Sequence, residues 1–457
     1  MVITRQFLHG ALCAALTLGA ASPRTVNAAD ITAVPTAAAS AAQIAAPASA
    51  PSTTQTAARA APTSAELMRT AYLALVRDSI VPANPSVIAA AAMAELAAVV
   101  PERGLALPDW FGADFARDAT WLGQRAADLS SPWPVLDAMV RAAATAHVLL
   151  SSPQRRQGIG ALMAGKPLAA PGFNLYPLAD GRLVVFDVIP GASAELSGLR
   201  AGDWLRRIDG VPAARLDAFM LNGLPAGVEL KLDIERAGRP ATIGLRLIAA
   251  DVAAVHSRML DDGIGYVFIR WFAPSGDPAR NTAVLARQAL IALAAQNARG
   301  IIIDLRSALG GSGAVAIASA LCDGDVMYAT QQPLTAPVRP VKRQGERVWP
   351  DRPIVVLVNE HTVSAGEYLA LSLRELARAT IVGRTTGGGL TEMSFVPLAE
   401  GYALAIPTGV VLGPVSGKDQ PGHAIKPDLD IPNPSIDELL RGHDAQRDAA
   451  RSLIRPR

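Results

Sequence analysis

The chain has 457 residues, half of them apolar and 18% charged, with 42 Lys plus Arg against 40 Asp plus Glu. That balance excludes disorder of the whole chain and leaves no polybasic footprint for nucleic acid. Two cysteines, Cys13 and Cys322, and six scattered histidines without HExxH or HxH spacing supply neither a disulfide framework nor a zinc site, so neither a metal nor a cofactor is expected.

The first 28 residues read as an export signal. Arg5 gives a positive n-region, Phe7 to Ala21 a short apolar run, and Val26-Asn27-Ala28 a small-residue cleavage site. The run is too short for a spanning helix, and Cys13 lies inside it, so no lipidation cysteine stands at the cut. An uncleaved anchor is the competing reading. Cleavage removes Arg5 and Arg24 and leaves a neutral chain. The expected location is secreted, or periplasmic in a host with two membranes, with no stable membrane span after cleavage. Residues 29–62 are almost wholly Ala, Pro, Ser, Thr and Gln, a composition that buries too little apolar surface to fold.

Residues 63–165 read as helical. Thr63-Ser-Ala-Glu66 is a capping box followed by Leu67, Ala71, Ala74 and Leu75 on one face. A second helix starts at Asn84-Pro85, and further helices fall around 111–128 and 134–146. The period then changes from 3.6 to 2. Over 166–252, short strands are expected at Leu183–Ile189, Trp204–Ile208, Glu229–Arg236 and Thr242–Leu247, the last after an Ala-Gly-Arg-Pro turn. The stretch Pro190-Gly-Ala-Ser-Ala-Glu-Leu-Ser-Gly-Leu-Arg-Ala-Gly-Asp203 with Arg207-Ile-Asp-Gly210 resembles a PDZ domain of the bacterial protease type. Gly172, Phe173, Asn174 and Leu175 sit where that family keeps its carboxylate-binding loop. The resemblance implies a peptide adding as a strand, its terminal carboxylate held by backbone N–H groups. Asn174 replaces the usual second glycine, and a purely scaffolding barrel is the alternative.

Residues 253–435 read as strand, loop, helix. Strands are expected at Gly265–Phe272, Gly300–Leu305, Pro353–Val358 and Ala379–Gly383, the continuous apolar runs marking buried parallel strands. Helices fall at 280–297, 312–322 and 364–378, which makes an α/β core. A β-ribbon, Met393–Leu398 with Tyr402–Ile406, and an extended segment ending Lys426-Pro-Asp-Leu-Asp-Ile431 follow, and 436–457 is a C-terminal tail.

Two strand ends carry candidate chemistry. Asp304-Leu-Arg-Ser-Ala-Leu-Gly-Gly-Ser312 leads from a strand into a helix, where Gly310 and Gly311 can offer backbone N–H groups beside a positive helix end; a plain tight connection is the other reading. Val358-Asn-Glu-His-Thr-Val-Ser364-Ala-Gly-Glu367 puts a serine at a strand-to-helix elbow, although Ser364 with Glu367 also fits an ordinary capping box. These segments, with Arg378-Ala-Thr-Ile-Val-Gly383-Arg-Thr-Thr-Gly-Gly-Gly389 and Lys426-Pro-Asp428, are similar to the tail-specific (C-terminal processing) serine peptidase family, in consistent order over roughly residues 66–432. The resemblance implies a crotonase/ClpP-like α/β core, Ser364 as nucleophile, and oxyanion donors at Gly310, Gly311 and the Ala365 N–H.

The base departs from the common pattern. Many members place a lysine 25 residues after the serine; that position is Gly389, and no lysine lies between Lys342 and Lys418. Gly387-Gly388-Gly389 looks like the branch of tricorn core peptidase, the nisin-resistance protease and the interphotoreceptor retinoid-binding protein. Peptidases of that branch use a histidine after a helix, and Thr145-Ala146-His147-Val148 stands at the corresponding place. His147 is therefore the candidate base, a packed helix-end histidine being the alternative. His361 reads as a loop residue, His423 lies near where tricorn-like members carry an acid, and Glu367 is a weak candidate for orienting the base. The expected activity is hydrolysis of peptides or unfolded C-terminal tails by an exported serine endopeptidase with PDZ-mediated recognition. The alternative is a silent member that binds peptides or a hydrophobic ligand. The sequence leaves the oligomeric state open.

Overall fold

Thr63 closes the predicted capping box with Glu66 and starts helix α1, Ser64–Leu73. The computed structural model describes residues 61–99, 106–143, 147–153, 155–157, 160, 168–169, 171–178, 180–213, 224, 226–250, 253–308 and 310–454, all within one unit, Thr53–Arg457. The expected export signal, and the linker up to residue 60, lie outside them. Helices α2 (Pro85–Val99), α3 (Phe115–Ala126) and α4 (Trp133–Ala143) follow. Asp114 caps α3 by accepting from Ala116 N and Arg117 N, as an N-cap carboxylate should. Their apolar faces meet around Met68, Tyr72, Ile88, Leu122, Leu136 and Met139. Residues 144–146 lie outside the described residues; His147 and Val148 then lead into strand β1, Leu149–Ser151.

Strands β2 (Phe173–Pro177), β3 (Leu183–Val188), β4 (Trp204–Ile208), β5 (Glu229–Arg236) and β6 (Arg239–Arg246), with the short helix α5 (Ser193–Leu196), form a separate antiparallel sheet in the order β2-β3-β4-β5-β6. Alternate residues Leu230, Leu232 and Ile234 point into its core with Val185, Leu205 and Leu245, the period of two read from sequence. Strand β6 begins at Arg239, three residues before the expected Thr242. Ala237 (φ 49°) and Gly238 (φ 74°) alone make the turn, and a two-residue turn with both φ positive matches strand twist, so Arg239 pairs with Arg236.

The core sheet runs β7 (Val255–Met259), β8 (Gly265–Ile269), β9 (Ile301–Asp304), β12 (Ile354–Val358), β13 (Thr380–Gly383) and Leu429–Asp430. Only the β7–β8 pair is antiparallel. Every residue of β8, β9 and β12 is buried, because helices α6 (Thr282–Ala295), α7 (Ala314–Leu321) and α8 (Ala365–Ala377), which follow β8, β9 and β12, pack on one face and Phe186, Ala450 and Ile454 cover the other. The expected strand Gly265–Phe272 stops at Ile269; Phe272 instead bridges Gly311. Between α7 and β12 lie two strands absent from the sequence reading, β10 (Val326–Gln331) and β11 (Arg339–Lys342).

Those two join a second sheet with β14 (Thr391–Pro397) and β15 (Ala403–Leu412). The expected ribbon is real but longer, β15 running through Pro407 to Leu412. Strand β15 pairs with β14 on one side and with β1 and β10 on the other, and Leu404 and Ile406 enter the helical core. The residues expected as a tail fold as α9 (Ile436–Leu440) and α10 (Ala445–Leu453). Buried Arg306 explains their docking: its guanidinium donates to Asp304, Asp444 and Gln446. A buried charge with every donor matched holds only while its partners stay in place, which ties the start of α10 to the end of β9.

Candidate active site

Ser364 sits at a sharp corner between β12 and α8. Its backbone, φ 53° and ψ −117°, lies outside the regions open to most L-residues, a conformation that persists only when neighbours over-determine it. The loop before it is fastened by buried side chains. Asn359 Oδ1 accepts from Ser307 N (2.9 Å) and His361 N (3.0 Å), and Thr362 Oγ1 donates to Leu305 O at 2.8 Å. After the serine, Glu367 accepts from Ser364 N at 2.8 Å. The capping geometry and the strained elbow are thus both present, and they share one acid.

The Gly310–Gly311 turn lies against this corner. A Cβ on Gly310 (φ 79°) would stand 2.9 Å from Ser364 Cβ and 3.4 Å from its Oγ. One on Gly311 (φ 126°) would overlap the Phe272 carbonyl. Phe272 N donates to Gly310 O (3.0 Å), and Ser312 N to Phe272 O (2.8 Å). Both positions therefore need glycine for conformation and for room. Ala365, also buried, opens α8, where first-turn N–H groups lack helical partners.

His147 comes to the same corner from the helical region, held by β1 on β15. It is 5% exposed, and its Nδ1 is 2.6 Å from Thr391 Oγ1 on the first residue of β14. Its Nε2 is buried and has no hydrogen-bond partner among the described residues. Gly389 marks where that nitrogen points: a Cβ there would be 3.0 Å from His147 Nε2, 2.8 Å from Ser364 N and 2.7 Å from Glu367 Oε2. The imidazole thus lies where a side chain at 389 would emerge. Burial pushes its pKa down to about 4, against the opposing pull of its bond with Thr391.

Glu367 fastens the glycine run to the elbow. Besides Ser364 N it accepts from Gly389 N (2.7 Å), Gly388 N (3.0 Å) and the Thr386 hydroxyl. Burial raises its carboxyl to about 7, although these four donors favour the charged form. Burial also raises the Tyr368 phenol well above its usual value, the Ser364 hydroxyl opposing the rise as a hydrogen-bond neighbour, and the Tyr368 hydroxyl donates to Thr391 O at 3.0 Å.

Ser364, Gly310, Gly311, Ala365 and His147 therefore converge. Glu367 is at the corner too, but its hydrogen-bond donors are backbone amides and Thr386, while the imidazole Nδ1 is taken by Thr391. His361 turns to the β-domain, its Nδ1–H donating to Leu175 O at 2.8 Å. His423 lies beside Asp419, 2.9 Å away. Gly172 (φ 81°), Phe173, Asn174 and Leu175 lie in the β-domain at the start of β2, Gly172 packed so tightly on Ala192 that a Cβ would overlap it. Thr391, Thr386 and Asn359 were not anticipated. No local spacing marks Thr391, which is 244 positions from the histidine it touches. Among the described residues, no cluster of His, Cys, Asp and Glu could hold a metal ion.

A strained serine elbow beside a glycine turn and an imidazole, on a mostly parallel sheet flanked by helices, is an arrangement that could support serine-type hydrolysis. Residues 263–431 match Peptidase family S41. The chain is 30% identical over 310 residues to a carboxyl-terminal-processing protease of Synechocystis sp., covering 62% of this chain and 66% of the relative. It is 28% identical over 285 residues to a carboxy-terminal-processing protease of Bartonella bacilliformis, covering 60% and 64%. A chloroplastic C-terminal processing peptidase of Tetradesmus obliquus is 29% identical over 374 residues, covering 73% and 78%. The chain spans just under two thirds of the first two relatives. Its fold resembles a solved photosystem II D1 C-terminal processing protease, with TM-score 0.51 and 21% identity over 75% of this chain and 93% of that one.

Proposed function

We propose that this chain is an exported serine endopeptidase that cleaves peptides or unfolded C-terminal tails, with Ser364 as nucleophile and His147 as base. The observation that carries the reading is the convergence of Ser364 N and His147 Nε2 on the space beside Gly389, within 2.8 and 3.0 Å of one point. It belongs with the branch that lacks the lysine, since the imidazole occupies the room a side chain at 389 would need. In the reaction Nε2 takes the Oγ proton as Oγ bonds to the carbonyl carbon. The carbonyl oxygen becomes an oxyanion facing the Gly310, Gly311 and Ala365 amides, and one such donor is typically worth about 100 to 1,000-fold in rate. The imidazolium then gives the proton to the leaving amine as the C–N bond breaks. Water, deprotonated by the same nitrogen, releases the acyl group and restores the serine.

Residues 166–252 act in this reading as a PDZ-like domain that takes the substrate's C-terminus at Gly172, Phe173, Asn174 and Leu175. The β2 edge supports this, because the Leu175 carbonyl faces away from β3 and bonds a side chain instead. A silent, ligand-binding member is the second reading; a strained serine beside an unpartnered buried nitrogen is an expense such a protein has no use for. A fluorophosphonate separates the two. It should label Ser364 in the wild-type protein, fail with Ser364→Ala, and label His147→Ala at least about 1,000-fold more slowly. A wild-type protein that does not label overturns the peptidase reading, and undiminished labelling of His147→Ala reassigns the base.

A further inference from the structure

We infer that Thr391 is the positioning residue of the base, so that the working set is Ser364, His147 and a neutral hydroxyl in place of an acid. The inference rests on the peptidase reading above. A neutral imidazole carries its proton on one nitrogen, and which one is set by the partner of the other. With Nδ1–H donating to Thr391 Oγ1, Nε2 keeps its lone pair for the serine proton. With the proton on Nε2 instead, the base is blocked. The 2.6 Å bond lies between two residues that are 5% and 1% exposed, so water does not compete for Nδ1.

Thr391 is itself held on both sides. Its carbonyl accepts from the Tyr368 hydroxyl, its Cα pairs with Val410 across β14 and β15, and Leu390 before it is fixed by His423 O and Val411 N. The β-branched side chain is stiff at χ1, so a position on a strand fixes the hydroxyl with little rotamer freedom. The carboxylate at the corner is engaged elsewhere: Glu367 is occupied by three amides and Thr386. A hydroxyl orients the ring without offsetting its charge, and the depressed pKa of His147 agrees with that.

The test is Thr391→Val, Thr391→Ser and Thr391→Asp in the full chain, each with its urea midpoint measured. Thr391→Val should lower kcat about 10 to 100-fold with KM nearly unchanged, and slow fluorophosphonate labelling in parallel. Thr391→Ser should restore both. Thr391→Asp, if folded, should move the acid limb of kcat/KM upward, because a carboxylate stabilises the imidazolium. Wild-type kcat in Thr391→Val, or a Thr391→Ser as impaired as the valine variant at equal stability, would overturn the inference. Failure of the wild-type protein to label would instead sink the peptidase reading beneath it.

Discussion

The corner around Ser364 and the turn at Gly172 both place glycines with positive φ where backbone N–H groups can face an oxygen, yet they are supported differently. At the corner, segments following β8, β9 and β12 and the run before β14 close on one another through buried bonds: Phe272 to Gly310, Thr362 to Leu305, Asn359 to Ser307, Glu367 to Gly388 and Gly389. At Gly172 the support is one-sided. Ile189 N donates to Gly172 O and Ala194 N to Pro171 O, but on the outer edge of β2 the Leu175 carbonyl is met by the imidazole of His361 and the Ser307 hydroxyl, the latter at 3.4 Å. Fixed dipoles suit an oxyanion, which needs donors already in place. An edge held by exchangeable side chains suits a strand that comes and goes.

The sharpest way to break the corner is one methyl group. Gly389→Ala puts a Cβ within 2.7 to 3.0 Å of Glu367 Oε2, Ser364 N and His147 Nε2, so the acid, the elbow or the base must shift. Displacement of about 1 Å at a reacting pair costs roughly 100-fold, and kcat should fall by about that much with the β-domain's peptide affinity unchanged. Steady-state kinetics beside a peptide titration would show it. Wild-type kcat in this variant would mean that the added methyl displaces neither the Ser364 elbow nor His147.

How much of this was legible follows from where each signal lives. Strands β9 and β12 show as unbroken apolar runs because both faces of a parallel sheet are covered, and Ser364 shows because Ala365-Gly366 and Glu367 stand next to it. Strand β11, Arg-Pro-Val-Lys, carries no such signal: it is an edge strand, where proline and charge are tolerated. Helix α10 buries Gln446, and Asp444 at its cap, on the same side as the small Ala450; only the distant Arg306 makes those two polar residues interior. Thr391 is silent for the same reason. Its role exists only once β1 and β14 flank β15, and nothing in Leu390-Thr391-Glu392 foretells that.

The next effect is on stability, and its sign differs between two neighbours. His147 goes from 6.5 to about 4 on folding. Between those values the unfolded chain holds a proton that the folded chain lacks, so stability falls as pH drops from 6.5 to 4. Glu367 goes from 4.5 to about 7. There the folded chain holds the extra proton, so stability falls as pH rises from 4.5 to 7. Each is on the order of 3 kcal/mol, and across the shared window they nearly offset. Urea midpoints should therefore be flat for the wild-type protein near pH 5 to 6. They should fall toward acid in Glu367→Gln and fall toward neutral in His147→Gln, and parallel profiles for all three would refute the assignment of opposed shifts.

The smallest effect belongs to the β2 edge. His361 Nδ1–H is bound to Leu175 O, and burial lowers its pKa against that same bond. Because the imidazole covers an acceptor that an added strand would use, His361→Ala should free the edge at the loss of about one hydrogen bond, roughly 1 kcal/mol. Peptides with a free C-terminus should then bind the variant up to about five-fold more tightly, while their amides stay weak in both proteins. The elbow keeps its Asn359 and Thr362 bonds, since His361 contributes to them only through its backbone N–H. Equal affinity for acids and amides would remove carboxylate recognition from the β-domain, and unchanged affinity for the acid would mean that the peptide does not reach Leu175.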